Sequence, residues 1–260
     1  MYRLKFGLGG GLSISMDSNK CGVVIVAGGS GARAGGETPK QFQMVLDRPL
    51  YMWSLEAFLN WEHTGFVVLT VPAEWVKPVN ESLAKYGLSD KAWATEGGPT
   101  RQESASLGLE MLTQRGIFQW TMVHDAARPM ITENLLNQLW KQKDVYLNGS
   151  TDMLGGVIPG ISAHETVKKI TRDNKKNFVE STLNRSEIYL IQTPQLFKTP
   201  ILSRSYNEYQ GSEAVDDSVL VEKLGYKVMV VDGEKENIKV TFQEDFERVS
   251  GWLRKRHPPL

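Results

Sequence analysis

Two hydrophobic periods take turns along the first half of this chain. Val23 to Val26 is a short, nearly continuous apolar run bounded by glycines, the pattern of a strand buried on both faces of a parallel sheet. "PLYMWSLEAFLNW" follows with apolar residues at helical spacing, so that Tyr51, Leu55 and Phe58 share one face. "FVVLTVP", from Phe66, predicts a second strand and "VKPVNESLAKYGL" a helix after it. "AWATEGG" and "TRQESASLGLEML" predict another strand and helix, and "FQWTMVHDAARP" a further strand. This alternation, continuing to about residue 145, implies βαβ crossovers and a mostly parallel sheet.

The rhythm changes after Asn148. "DMLGGVIPG" reads as a strand, but "TVKKITRDNKKNFVESTLNRSEIYLIQ" has strand-like ends around a polar, lysine-rich middle. That pattern predicts an extended, solvated hairpin over about 161–187 rather than another βαβ unit. From Pro200 the α/β pattern resumes: helices near Ile201 to Tyr209 and Asp217 to Leu224, a strand "KVMVV", the short run "NIKVT", and a closing helix from Gln243 to about Arg256.

Length and composition narrow the classes. At 260 residues the chain can bury a full core as one large α/β domain, read here as residues 21–260. Residues 1–20, whose apolar stretch is split by glycines and lacks an A-x-A cleavage site, read as a poorly ordered leader rather than a secretory signal, with Met16 an alternative start. Lys plus Arg (30) balances Asp plus Glu (30), so no overall field favours nucleic acid or a membrane surface. No apolar run approaches the roughly 20 residues of a membrane helix. The single cysteine, Cys21, excludes a disulfide framework or a multi-cysteine metal site and suits the cytoplasm.

The first chemical candidate is "AGGSGARAGGETPKQF". Gly29-x-Gly31-x-x-Ala34 satisfies the dinucleotide pattern G-x-G-x-x-A, but the second strand closes on Val71 and Pro72 without the acid that would hold a ribose. Gly31-x4-Gly36 has kinase-type P-loop spacing, yet Glu37 stands where the lysine is required. What remains is a glycine loop whose N–H groups can cradle a polyphosphate, followed by fixed positive charge at Arg33 and Lys40. Two more strand ends carry similar chemistry. "VHDAARP" offers Asp125 to a metal or a hydroxyl and Arg128 to a phosphate; "GGPTRQES" offers glycines, Arg101 and Ser104. Each alone is compatible with a turn or helix cap. Three such strand ends on one edge of an α/β sheet are better explained by a shared site.

"AGGSGARAGGETPKQF", "GGPTRQES", "HDAARP", "QTPQLF" and "ENIKVT", in this order, resemble the 2-C-methyl-D-erythritol 4-phosphate cytidylyltransferases of the non-mevalonate isoprenoid pathway, over about Gly22 to Glu247. The related ribitol-5-phosphate cytidylyltransferases share the loop and the QTPQ element but tend to carry serine-valine where this chain has Ala126-Ala127. The resemblance implies a Rossmann-like nucleotidyltransferase fold with a protruding β-arm, here about 161–187, through which two copies form a homodimer. It implies transfer of a cytidylyl group from CTP to methylerythritol 4-phosphate, with Mg²⁺ bridging the triphosphate and few direct protein ligands.

By position in the matching motifs, the resemblance implies that Arg33 and Lys40 stabilise the transition state, while Arg185 and Lys239 hold the sugar phosphate. Ala27, Gly28, Gly29, Ser30, Gly31, Gly98, Arg101 and Ser104 would hold CTP. Asp125, Arg128, Thr166 and Thr193 would contact the rest of the second substrate. His124 is expected to be structural, since this reaction needs no imidazole. The chain departs from the family's usual pattern at Ala34, where methionine is common, and at Val215, where threonine precedes the acidic pair. An NAD-linked oxidoreductase and a catalytically silent nucleotide scaffold are the readings from other classes.

Overall fold

The computed structural model describes residues 19–29, 38–145, 154–211 and 214–256. The leader, apart from Asn19 and Lys20, and the loop residues Ser30, Gly31, Arg33, Ala34 and Glu37 therefore lie outside the described residues. Strands and helices follow in the order β1 (Cys21–Val26), β2 (Met44–Val45), β3 (Arg48–Pro49), α1 (Leu50–Leu59), β4 (Thr64–Val71), α2 (Ala73–Lys85), β5 (Ala92–Glu96), α3 (Arg101–Arg115), β6 (Trp120–Asp125) and α4 (Glu133–Val145). The second half contains β7 (Leu154–Ser162), β8 (Lys168–Asp173), β9 (Lys176–Thr182), β10 (Tyr189–Ile191), β11 (Gln195–Lys198), α5 (Thr199–Glu208), α6 (Asp217–Lys223), β12 (Lys227–Asp232) and α7 (Gln243–Arg256).

The alternating half builds the sheet as its pattern requires. β5, β4, β1 and β6 lie side by side and parallel, with β1 central. Period two divides β1 between two layers: Val23 and Ile25 pack with Tyr51, Leu55 and Phe58 of α1 and with α2 and α4. Val24 packs on the other face with Ala105, Leu109 and Leu112 of α3 and with α5 and α6. A third cluster joins Trp53 of α1 to Val249 and Leu253 of α7.

Beyond β6 the sheet is mixed. β11 lies antiparallel between β6 and β7, and β12 runs parallel to β7 on its other side. β10 pairs with the far end of β7, so β10 and β11 occupy the same side of one long strand, separated by Gln192, Thr193 and Pro194. Helix α2 begins earlier than its sequence pattern, at Ala73, and carries Pro78 within it. "NIKVT" is irregular rather than a strand.

β8 and β9 form a two-stranded sheet of their own, with every residue exposed. Asn174 and Lys175, at φ 47° and 65°, form the turn. Positive φ at both central positions matches the twist of a tight hairpin, and asparagine tolerates it well. No helix among the described residues is long and apolar enough to cross a membrane.

Candidate active site

The C-terminal ends of the four parallel strands open on one cleft of about 680 Å³, where Val26, Val71, Glu96 and Asp125 are the last residues of their strands. Its other walls include Ala27, Gly28, Gly29, Lys40, Gln41, Gly97, Gly98, Arg101, Ser104 and Lys239. The edge expected from sequence is thus a physical cavity, and the three glycine-bearing or charged strand ends meet in it.

Helix α3 enters this cleft by its N-terminus. Thr100 caps it, accepting from the Glu103 N–H, while the Glu103 carboxylate accepts from the Thr100 N–H at 2.9 Å, a capping box that satisfies two otherwise orphaned donors. The buried Ser104 hydroxyl donates within the same turn, to the carbonyls of Gly98 and Thr100. A Cβ at Gly28 or Gly97 would lie 3.0 or 2.8 Å from Ser104 Oγ. Glycine at these two places lets both strand-end turns close on the helix.

Asp125 is the centre of the electrostatics. One carboxylate oxygen accepts from Arg101 Nε at 2.8 Å and the other from Lys239 Nζ at 2.7 Å. Arg101 also donates through Nη1 to Asp217 at 2.8 Å, and Asp217 accepts from the Tyr206 hydroxyl on its second oxygen. Burial opposes ionisation of Asp125, but the Arg101 guanidinium and the Lys239 ammonium overcome it and hold the carboxyl well below the usual carboxylate range. Burial likewise opposes the charge on Arg101, and Asp217 with Asp125 more than restores it. Tyr206 is raised by burial and by Asp217, so its proton stays.

Behind Asp125 lies a neutral relay. The Asp125 N–H donates to Thr193 Oγ1 at 3.0 Å, and the same hydroxyl lies 3.0 Å from His124 Nδ1. With its oxygen accepting from the backbone, the hydroxyl donates to Nδ1. His124 then carries its proton on Nε2, 3.2 Å from the Arg128 carbonyl. Burial pushes the imidazole down to about 3, so it is neutral and structural near pH 7.

The irregular "NIKVT" segment crosses this end of the sheet. The buried Asn237 donates to the Thr193 carbonyl and its own carbonyl receives Arg128 Nη1 at 2.9 Å. The Val240 N–H donates to Ala127, and the Val240 carbonyl accepts from Lys40 Nζ at 2.7 Å. One strap therefore places Lys239 and meets Lys40.

The structure thus gathers Ala27, Gly28, Gly29, Lys40, Gly98, Arg101, Ser104, Asp125 and Lys239 around one space. Thr193 stands behind Asp125 with its hydroxyl buried, and Arg128 is half-buried with Nη1 committed to the strap; neither lines the cleft. Thr166 and Arg185 are exposed at the base of the β8–β9 hairpin, where Arg185 donates to the His164 carbonyl at 2.7 Å. Val215 is 89 % exposed. Gln41 and Asp217, like Tyr206 and Asn237, had no assigned role from sequence. Gln41 was visible only as the neighbour of Lys40, and Asp217 as half of an acidic pair; neither signal says what the side chain reaches.

Among the described residues, the acids of this network do not build a site for a divalent cation: both oxygens of Asp125 and both of Asp217 already accept hydrogen bonds within the chain. No group of three or more His, Cys, Asp or Glu side chains placed to hold a metal occurs among the described residues.

A family model described as 2-C-methyl-D-erythritol 4-phosphate cytidylyltransferase matches residues 21–255. The protein of that name from Carboxydothermus hydrogenoformans is 38% identical over 230 residues, covering 88% of this chain and 93% of that protein; that from Alkaliphilus metalliredigens is 35% identical over 242 residues, covering 92% and 95%. Among solved structures, 4-diphosphocytidyl-2C-methyl-D-erythritol synthase from Anaerococcus prevotii superposes with a TM-score of 0.74 at 27% identity, covering 92% of this chain and 100% of that one. This chain belongs to the 2-C-methyl-D-erythritol 4-phosphate cytidylyltransferase family.

Proposed function

We propose that the chain transfers the cytidylyl group of CTP to 2-C-methyl-D-erythritol 4-phosphate, releasing pyrophosphate and 4-diphosphocytidyl-2-C-methyl-D-erythritol, a step toward isoprenoid precursors. The observation that carries this reading is one cleft lined by the glycine turns, the α3 N-terminus, Lys40 and the Asp125–Lys239 pair. That combination suits a polyphosphate and a second, hydroxylated phosphate side by side.

The chemistry asks little of the protein beyond position and charge. An oxygen of the sugar phosphate, already anionic, bonds to the α-phosphorus of CTP. The bond from that phosphorus to its bridging oxygen breaks, and the electron pair leaves with pyrophosphate. No proton has to be taken from the attacking group, which agrees with a neutral, buried His124. We assign to Lys40 and Arg33 the negative charge that grows on the transferring group, a task of fixed cations in a water-poor site. Ala27, Gly28, Gly29, Ser30, Gly31, Gly98, Arg101 and Ser104 are assigned to CTP. Lys239 and Arg185 are assigned to the sugar phosphate, and Asp125, Arg128, Thr166 and Thr193 to the surroundings of its hydroxyls.

A homodimer through the hairpin belongs to the same reading. Ile170, Phe178, Val179 and Leu183 are exposed large apolar residues on or beside it, and a lone two-stranded hairpin is marginal in water. Arg185 would then serve the partner's cleft. Mg²⁺ is assigned to the triphosphate of the incoming nucleotide, with few direct protein ligands, where it would supply counter-charge to the phosphates. A cytoplasmic location is supported by the single cysteine of the chain.

Side-by-side turnover of methylerythritol 4-phosphate and ribitol 5-phosphate, with CTP and Mg²⁺, tests the reading. Pyrophosphate release is expected with the former, and preference for ribitol 5-phosphate would overturn it.

A further inference from the structure

The Gln41 side chain is 2 % exposed, and its amide nitrogen donates to two backbone carbonyls, Ala27 at 2.6 Å and Gly29 at 2.8 Å. These carbonyls flank Gly28, in the first turn of the glycine loop. Ala27 is thereby held from both sides, because its N–H donates to the Thr70 carbonyl of β4 at 2.8 Å. In a planar trans peptide the C=O and the next N–H point in opposite directions. Drawing the Ala27 carbonyl toward Gln41 therefore turns the Gly28 N–H away from it.

Gln41 is itself fixed from the opposite side. It sits in the single 3-10 turn Lys40–Phe42, whose Phe42 ring stacks on Trp75 at 3.9 Å and 4° and meets Tyr51 edge-on at 5.7 Å. The apolar anchor faces one way and the amide the other, with Lys40 beside them on the same turn. Gln41 thus ties the start of the loop directly to the turn that carries Lys40.

We propose that Gln41 is a positioning residue for nucleotide binding: it takes up the carbonyls of the glycine turn so that the turn offers N–H groups to a polyphosphate, and it sets the place of Lys40 relative to that turn. A carbonyl left free at this point would face an anion and repel it. The inference rests on the reading that nucleotide phosphates occupy this cleft.

The test measures binding of CTP and of inorganic tripolyphosphate by calorimetry, alongside Tm, for the wild type, Gln41→Met and Gln41→Glu. Gln41→Met keeps an extended side chain of similar length without the donors, and is expected to bind both ligands about tenfold or more weakly. Gln41→Glu replaces the donors with a carboxylate and is expected to bind still more weakly at pH 8. Lowering the pH to 6 should then narrow its deficit against the wild type, because a protonated carboxyl regains one donor. Lys40, Glu96, Arg101, Asp125 and Lys239, which line the cleft, are unchanged in sequence in both variants, so the ratio to wild type reports position 41. A purely structural glutamine predicts a lower Tm with both affinities unchanged at both pH values, and that result overturns the inference. Wild type that binds tripolyphosphate yet releases no pyrophosphate with any sugar phosphate would overturn the proposed reaction and leave the inference standing. Wild type that binds neither ligand would overturn both.

Discussion

Asp125 at the end of β6 and Arg185 at the base of the β8–β9 hairpin are assigned to the same substrate, yet they stand in opposite surroundings. Asp125 is buried, with each oxygen on a cation and its N–H on Thr193. The hairpin pairs only with itself, and its side chains are exposed. A buried ion network adds little net stability compared with apolar packing of the same volume, but removing one member leaves a charge unpaired and is costly. The ion network around Asp125 is therefore made within one chain and built for fixed geometry. The hairpin leaves Ile170, Phe178 and Val179 exposed, while Lys168, Lys169 and Arg172 find partners within the hairpin; the proposed second copy would cover the apolar side chains.

Acid should separate the two regions most strongly. His124 is pushed from the ordinary 6.5 to about 3, so the native state resists a proton that the unfolded chain accepts. Its contribution is present above pH 6.5 and is lost as pH falls toward 3. Asp125 is also depressed, so its contribution is present above its unfolded pKa and is lost at still lower pH. Denaturation midpoints should fall by an amount equivalent to several kcal/mol between pH 7 and pH 3. His124→Asn should be less stable at pH 7 but show a shallower fall. An unchanged slope in that variant would mean the buried imidazole is not the titrating group.

Asp125→Asn strikes the sheet end directly. It is expected to cost about 3 kcal/mol of stability by chemical denaturation, because Arg101 and Lys239 lose their shared counter-charge. Next in size, Lys40→Ala should lower kcat about 10²-fold or more, roughly 2.7 kcal/mol of transition-state stabilisation, read as pyrophosphate release. Arg185→Ala should raise the KM for the sugar phosphate about 30-fold, roughly 2 kcal/mol, with CTP binding intact. Collapse of CTP affinity in that variant would place the hairpin at the wrong substrate. The smallest effect on the fold should come from Phe178→Asp: less than about 0.5 kcal/mol for the main domain, since the side chain is exposed, but loss of the dimer by light scattering. A variant that stays dimeric would break the comparison at its second half.

Much of this was legible in sequence for reasons that the packing makes clear. Val23, Val24 and Ile25 had to be buried on two faces, and the structure gives each face its own helices. The Thr100–Glu103 capping box is local chemistry, and α3 starts where that chemistry puts it. The sequence pattern starts helix α2 at Val76, whereas the structure starts it at Ala73, one turn earlier, because Trp75 is half-buried and stacks on Phe42, a partner 33 residues away in sequence. Thr193 was read as a contact from its motif alone; its hydroxyl is spent on the Asp125 N–H and His124, partners 68 and 69 residues away in sequence. Gln41 and Asp217 escaped notice for the same reason, since a polar residue declares its type in sequence but not its partner.

The sequence by itself determined the alternation of strand and helix, the parallel half of the sheet, the strand ends that carry glycine and charge, and the hairpin that leaves the α/β rhythm. These follow from residue type and short-range spacing, which act through burial period, caps and turns. Only the tertiary structure decided that Arg101 holds Asp125 to Asp217, that Lys239 completes the pair from an irregular strap, and that Gln41 joins the glycine turn to Lys40. Those contacts depend on the direction of a few side chains after distant segments have packed, and spacing along a chain does not encode that direction.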